Sequence, residues 1–182
     1  MILALAVAVG LIAAKLAGGK LRLLVDPGFR ALALPVASAL LQAGAGWAAP
    51  HLPWPAEAWY PGLVCLTYGM NLVFCVFNRK LWLGSLLAAL GTLGNLTVIA
   101  LNGWRMPVAA AAFQGAPRLG YCPLDGSTRW AWLGDVIPLP LPVVGGMISV
   151  GDLLLCAGVI AWVVARCLKG GRKFAPGPEA TR

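Results

Sequence analysis

N-G-W-R-M-P-V (102–108), T-R-W-A-W-L-G-D-V-I-P (128–138) and I-S-V-G-D (148–152) stand in one interval of the chain, between its last two long apolar segments. This interval holds three of the six acidic residues, Asp125, Asp135 and Asp152. It also holds Arg105, Arg118 and Arg129, three of the fourteen Lys and Arg residues. The remaining eleven basic residues fall elsewhere, at the ends of apolar runs. That division decides the fold, because basic residues of a membrane protein collect on the cytoplasmic side.

Working outward from the interval, five apolar segments are expected to cross a bilayer, at about 2–18, 31–49, 59–77, 81–101 and 147–168. The fold class is therefore all-α, an integral membrane bundle with a long apolar outer loop over 103–146. Residues 1–168 form a single transmembrane domain, and 169–182 a disordered cytoplasmic tail rich in Gly and Pro. The first segment is short for a span. Its charge follows the apolar run at Lys15 and Lys20 rather than preceding it, unlike a secretory signal. With the eleven basic residues inside, the N-terminus lies outside and the C-terminus in the cytoplasm. Trp54, Trp59 and Tyr60 then mark an outer interfacial belt.

Composition agrees with this reading. Hydrophobic residues make up 60% of the chain and charged ones 11%, with a mean hydropathy of +0.82, well outside the soluble range. The net charge of +8 is spread over segment ends, so a nucleic-acid partner is not expected. The expected partners are membrane lipid or another membrane protein, and no oligomeric state can be read. With one histidine, five scattered cysteines and no C-x-x-C, neither a metal nor another cofactor is expected.

In the fourth segment Gly84, Ala88, Gly91, Asn95 and Asn102 share one helical face, a seam on which another helix could pack closely. Thr67, Asn71, Cys75 and Asn78 form a similar stripe in the third. By helical rise, Gln42, Thr67, Asn95 and Asp152 all lie roughly 7–12 Å inside the outer helix ends. Lone polar groups at that depth should face one another or a wet cavity. The candidate site is thus an outer polar cluster of Gln42, Thr67, Asn95, Asn102, Arg105, Arg129, Asp135 and Asp152, with no catalytic assignment. Three environments are open for Asp152: an ion pair with Arg105 or Arg129, which is favoured, a wet pocket with Asn95 and Gln42, or the positive end of a helix dipole. Asp125 and Asp135 are also expected to pair with Arg105, Arg118 or Arg129. Pro107 followed by V-A-A-A-A-F is expected to start a short interfacial helix. Pro138, Pro140 and Pro142 favour an extended approach to the fifth span.

The run G-N-L-T-V-I-A-L-N-G-W-R-M-P-V (94–108), with T-R-W-A-W-L-G-D-V-I-P-L-P (128–140), I-S-V-G-D and N-R-K (78–80), resembles an uncharacterised family of small bacterial multi-pass membrane proteins. That resemblance implies a bacterial cell membrane and supplies no activity. A more distant resemblance is to signal peptidase II, an aspartic protease with G-N-x-x-D-R and F-N-x-A-D motifs. It implies that Asp152, in I-S-V-G-D, matches one catalytic aspartate and that Gly94-Asn95 opens the other motif. Val98 stands where that second aspartate would be, so the other carboxylate would have to be Asp135, on a loop folded inward. The leading expectation is a non-enzymatic protein that binds a partner or lipid-like ligand through an outer-facing pocket. A membrane aspartic hydrolase and a small transporter are the alternatives.

Overall fold

The computed structural model describes residues 2–25, 29–109, 119–140 and 146–168. Among these are five α-helices: α1 (Ile2–Leu16), α2 (Ala33–Ala48), α3 (Ala56–Phe77), α4 (Trp82–Leu101) and α5 (Val150–Leu168). Three of them, α3, α4 and α5, are long and apolar enough to cross a membrane. The first two are shorter than expected, 15 residues for α1 and 16 for α2. Gly18 (φ +75°) turns the chain beyond α1, and a 3-10 turn at Ala49–His51 follows α2. The expected tail, 169–182, lies outside the described residues.

The helices pack as a row in the order α1, α5, α4, α3, α2. The tightest junction is α4 on α5. A Cβ on Gly84 would lie 2.5 Å from Trp162 Cδ1, and one on Gly158 would lie 2.8 Å from the Ala88 nitrogen. A Cβ on Gly91 would overlap the carbonyl oxygen of Gly151. Gly84, Ala88, Gly91 and Asn95 are all buried here. Small residues let the two backbones touch, so dispersion contacts form along the whole seam. Trp162 then reaches across to α3, stacking edge-on against Phe74 with centroids 5.1 Å apart. Its indole N–H donates to Ser85 Oγ at 3.1 Å.

The α2–α3 junction is made differently, by side-chain hydrogen bonds. Ser38 Oγ donates to the Thr67 carbonyl at 3.2 Å, and Asn71 Nδ2 donates to Ser38 Oγ at 3.2 Å. Gln42 Nε2 donates to Thr67 Oγ1 at 3.0 Å. Asn78 closes this stripe: its Nδ2 donates to the Arg30 carbonyl (2.9 Å) and its Oδ1 accepts from the Arg30 N–H (3.1 Å). The chain entering α2 is thereby fastened to the end of α3.

The loop between α4 and α5 contains short strands, so the molecule is not purely helical. Met106–Val108 (β1) pairs in parallel with Tyr121–Pro123 (β2), and Ile137–Leu139 (β3) pairs antiparallel with Gly146–Ile148 (β4). The short helix expected from Pro107 onward is therefore replaced at its start by β1, while 110–118 lie outside the described residues. Three features account for the strand. First, Gly103 (φ +68°) and Trp104 (φ +64°) turn the chain sharply after α4. The Trp104 N–H bonds the Ile99 carbonyl at 2.8 Å, as in a Schellman C-cap. Second, Met106 N–H donates to the Gly120 carbonyl at 2.7 Å and Leu124 N–H to the Val108 carbonyl at 2.8 Å. Third, Pro107 offers its carbonyl to the Asp135 N–H (2.8 Å), on the side where the pairing asks no N–H of it. β3 shows the extended backbone expected of the proline-rich approach. Helix α5 starts at Val150 rather than 147, because Gly146–Ile148 are used in β4.

Candidate functional site

The loop, the last two turns of α2 and the facing sides of α3 and α4 enclose a cavity of about 960 Å³. On α3, Glu57, Tyr60, Pro61, Val64 and Tyr68 line it. Their offsets of 0, 3, 4, 7 and 11 make one helical face. Gln42 and Gly46 line it from α2, Asn95 and Ile99 from α4, and Asp152 from the first turn of α5. Trp104, Arg105, Met106, Tyr121 and Asp135 close it from the loop. The loop comes close to α3 at Gly120 (φ +77°), where a Cβ would overlap the Tyr60 hydroxyl.

Five of the eight candidate residues, Gln42, Asn95, Arg105, Asp135 and Asp152, thus share one cavity. Thr67 is fully buried and does not line it. Its hydroxyl donates to the Leu63 carbonyl at 2.9 Å and accepts from Gln42, fixing the position of that amide. Asn102 and Arg129 do not line it either. Asn102 clamps the Arg129 backbone, accepting from its N–H and donating to its carbonyl, each at 2.9 Å.

Asp152 is not paired with Arg105 or Arg129, which corrects the favoured sequence expectation. Ser149 stands at the N-cap of α5 and Asp152 is the third residue of the helix. The Asp152 N–H donates to Ser149 Oγ at 2.9 Å, and the Ser149 N–H donates to Asp152 Oδ2 at 3.2 Å. This is a reciprocal capping box, which satisfies two otherwise free backbone donors. Asn95 completes a ring: its Nδ2 donates to Asp152 Oδ1 (2.9 Å) and its Oδ1 accepts from Ser149 Oγ (2.8 Å). The helix-start role and the contact with Asn95 therefore replace the ion pair. Arg105 instead meets Glu57 at 2.6 Å, with both side chains substantially exposed. Such a pair contributes little to stability.

Neither Asp125 nor Asp135 pairs with Arg105 or Arg129, and the third expected partner, Arg118, lies outside the described residues. The Asp125 carboxylate accepts from the hydroxyl (2.7 Å) and N–H (2.8 Å) of Ser127. These bonds hold its pKa below the ordinary carboxylate value. Asp135 is 8% exposed, and its Oδ1 has no hydrogen-bond partner among the described residues. Burial first, and the nearby charge of Asp152 second, push its pKa up to about 7. Its backbone is fixed by β1: its N–H donates to Pro107 and its carbonyl accepts from Ala109 at 3.0 Å.

Sequence reasoning missed the aromatic and acidic lining from α3, namely Glu57, Tyr60 and Tyr68. The helical spacing of Glu57, Tyr60, Val64 and Tyr68 was the available signal. Ser149 with Asp152 spells S-x-x-D, a second signal that was readable in advance. Among the described residues no group of three or more His, Cys, Asp or Glu could hold a metal ion. All five cysteines are free thiols.

No match was found among curated proteins or among solved structures. One family model does match, over residues 28–164, which runs from just before α2 to within α5. By that match the chain belongs to DUF5317, a family of unknown function.

Proposed function

We propose that this chain is a multi-pass protein of the bacterial cytoplasmic membrane that binds the polar end of a lipid-like molecule in its loop-covered cavity. In this reading all five helices cross, residues 1–168 act as one domain, the N-terminus lies outside and the cavity opens outward. The hydropathy of α3, α4 and α5 and the eleven-to-three division of basic residues support it. Helix α1 would span only about 22 Å at the usual rise, so Lys15 would reach to the interface. The cavity carries the binding reading: about 960 Å³, the size of a ligand pocket, with polar groups from four helices and from Asp135 of the loop. A partner membrane protein docking on the same loop is the alternative occupant.

The test is extraction in mild detergent followed by mass spectrometry of the bound lipid. Gly46 lines the cavity, and a Cβ there meets nothing within 4 Å, so Gly46→Leu narrows the cavity without a clash. The wild type should retain a lipid species enriched over bulk membrane, and Gly46→Leu should lose it while unfolding at the same temperature. Bulk composition in both proteins would defeat the binding reading.

One observation favours a second reading, a membrane aspartic hydrolase: Asp135 and Asp152 line the same cavity. Two carboxylates that share a proton can activate water. Cleavage of a membrane-embedded peptide should then vanish in both Asp135→Asn and Asp152→Asn, and a wild type inert toward such peptides would end this reading.

A further inference from the structure

The walls of the cavity differ in what they have left to offer a ligand. Among the described lining residues there are three carboxylates, Glu57, Asp135 and Asp152, and one cation, Arg105. Arg105 is held by Glu57 at 2.6 Å. At the start of α5, the Ser149 and Asp152 N–H groups are taken by the capping box. What remains is acidic and aromatic. Asp135 and Asp152 both line this space, and the Oδ1 of Asp135 is buried with no donor among the described residues. Tyr60, Tyr68, Tyr121 and Trp104 complete the wall. A buried carboxyl oxygen lacking a donor is costly, and aromatic faces attract cations.

We propose that this cavity recognises a primary ammonium group, with Asp135 as its hydrogen-bonding acceptor. The inference rests on the ligand-binding reading above and narrows it to one headgroup chemistry. A quaternary ammonium would suit the aromatic side chains but has no N–H for the Asp135 carboxylate. The ammonium can come from an aminophospholipid or from a small soluble amine. The apolar part of the wall, including Val64, Ile99 and Met106, suits the glycerol and upper chain of a lipid.

Binding should depend on pH through Asp135, whose pKa is pushed up to about 7 by burial and by the nearby Asp152. The charged and titratable groups that line the cavity with it are Asp152 from α5, Glu57, Tyr60 and Tyr68 from α3, Tyr121 from β2, and Arg105 beyond α4. A bound cation favours the ionised carboxylate. Affinity for an ammonium therefore rises as pH climbs through about 7, while affinity for a neutral or anionic headgroup does not.

The experiment uses the full chain in dodecyl maltoside. It measures binding of short-chain phosphatidylethanolamine, phosphatidylcholine and phosphatidylglycerol, and of free ethanolamine, at pH 5.5 and 8. Phosphatidylethanolamine should bind at least about tenfold tighter than the other two lipids at pH 8, as one charge-assisted hydrogen bond allows. That advantage should shrink at pH 5.5 in the wild type and be absent at both pH values in Asp135→Asn. Ethanolamine binding on its own, with the same pH dependence, would identify a soluble amine as the source; silence there, with phosphatidylethanolamine bound, would identify the lipid. Equal or tighter binding of phosphatidylglycerol or phosphatidylcholine overturns the ammonium assignment and leaves the cavity reading standing. If no lipid or amine binds and Gly46→Leu changes nothing, the cavity reading falls and the ammonium assignment with it. The wild-type pH dependence decides the matter even if Asp135→Asn fails to fold.

Discussion

Side-chain hydrogen bonds cross both the α4–α5 and the α2–α3 junctions, but only α4–α5 adds glycines packed against the facing helix. Along α4–α5, glycine is present because backbone or side-chain atoms of the facing helix occupy the place of its side chain. At Gly84, Gly91, Gly151 and Gly158 a Cβ would meet atoms at 2.9 Å or less. In α2 and α3, Gly44, Gly46, Gly62 and Gly69 have nothing within 4 Å of such a Cβ. There the contact is made by Ser38, Gln42, Thr67 and Asn71, through hydrogen bonds of 3.0–3.2 Å. A glycine in an apolar helix is thus informative only with its neighbour known. The cavity lies where the two kinds of junction meet, with a fixed wall on α4 and α5 and a more adjustable one on α2 and α3.

The largest effect should come from filling the fixed wall. Gly91→Leu drives a side chain into the Gly151 backbone and should cost on the order of 3 kcal/mol or more. Gly44→Leu or Gly69→Leu should stay within about 0.5 kcal/mol. Thermal unfolding in detergent compares them, and equal losses would erase the distinction between the junctions. Next is Asn95→Leu, which strips the ring around Ser149 and Asp152 and leaves partners unsatisfied, at about 2–3 kcal/mol. Smaller is Thr67→Val, which removes one bond from Gln42 and should cost about 1 kcal/mol; a loss as large as that of Asn95→Leu would mean that the adjustable wall is not adjustable.

Two carboxylates sharpen the contrast further. Asp135 has its pKa raised to about 7 in the folded protein, so the native state binds more protons than the unfolded one between the ordinary carboxylate value and about 7. Its contribution to stability therefore falls as pH rises across that window and levels above it. Melting temperatures from pH 4.5 to 8 should show this decline in the wild type and not in Asp135→Asn. Asp152→Asn should have the smallest effect, about 0.5 kcal/mol through a weaker cap. It should leave the loop around 119–130 as resistant to protease as before, since no arginine ties it to Asp152.

The tight seam was legible in the sequence because its physics is local. Gly84, Ala88, Gly91 and Asn95 recur at helical spacing, and small residues at that spacing have few other uses in an apolar helix. The polar level of Gln42, Asn95 and Asp152 was legible because burying such groups alone is costly. The partner of Asp152 was misread because its bond to Ser149 is short-range and takes the lone pairs an arginine would use. The partner of Arg105 was not legible, since Glu57 lies 48 residues away. β1 was misread because V-A-A-A-A-F has a helical composition, and pairing with residues 121–123 depends on a turn at Gly103 and Trp104.

The order α1, α5, α4, α3, α2 also constrains the course of biosynthesis. Helices α2, α3 and α4 can each dock on a predecessor or successor as they leave the ribosome. Of these five helices α1 precedes the others and α5, on which it packs, follows them, so that contact cannot form until residues 150–168 are translated. Its seat is specific: a Cβ on Gly10 would lie 3.0 Å from Val163 Cβ, and the Lys20 N–H donates to the Cys167 carbonyl at 3.0 Å. A chain ending before residue 150 would leave α1 without the surface it fits.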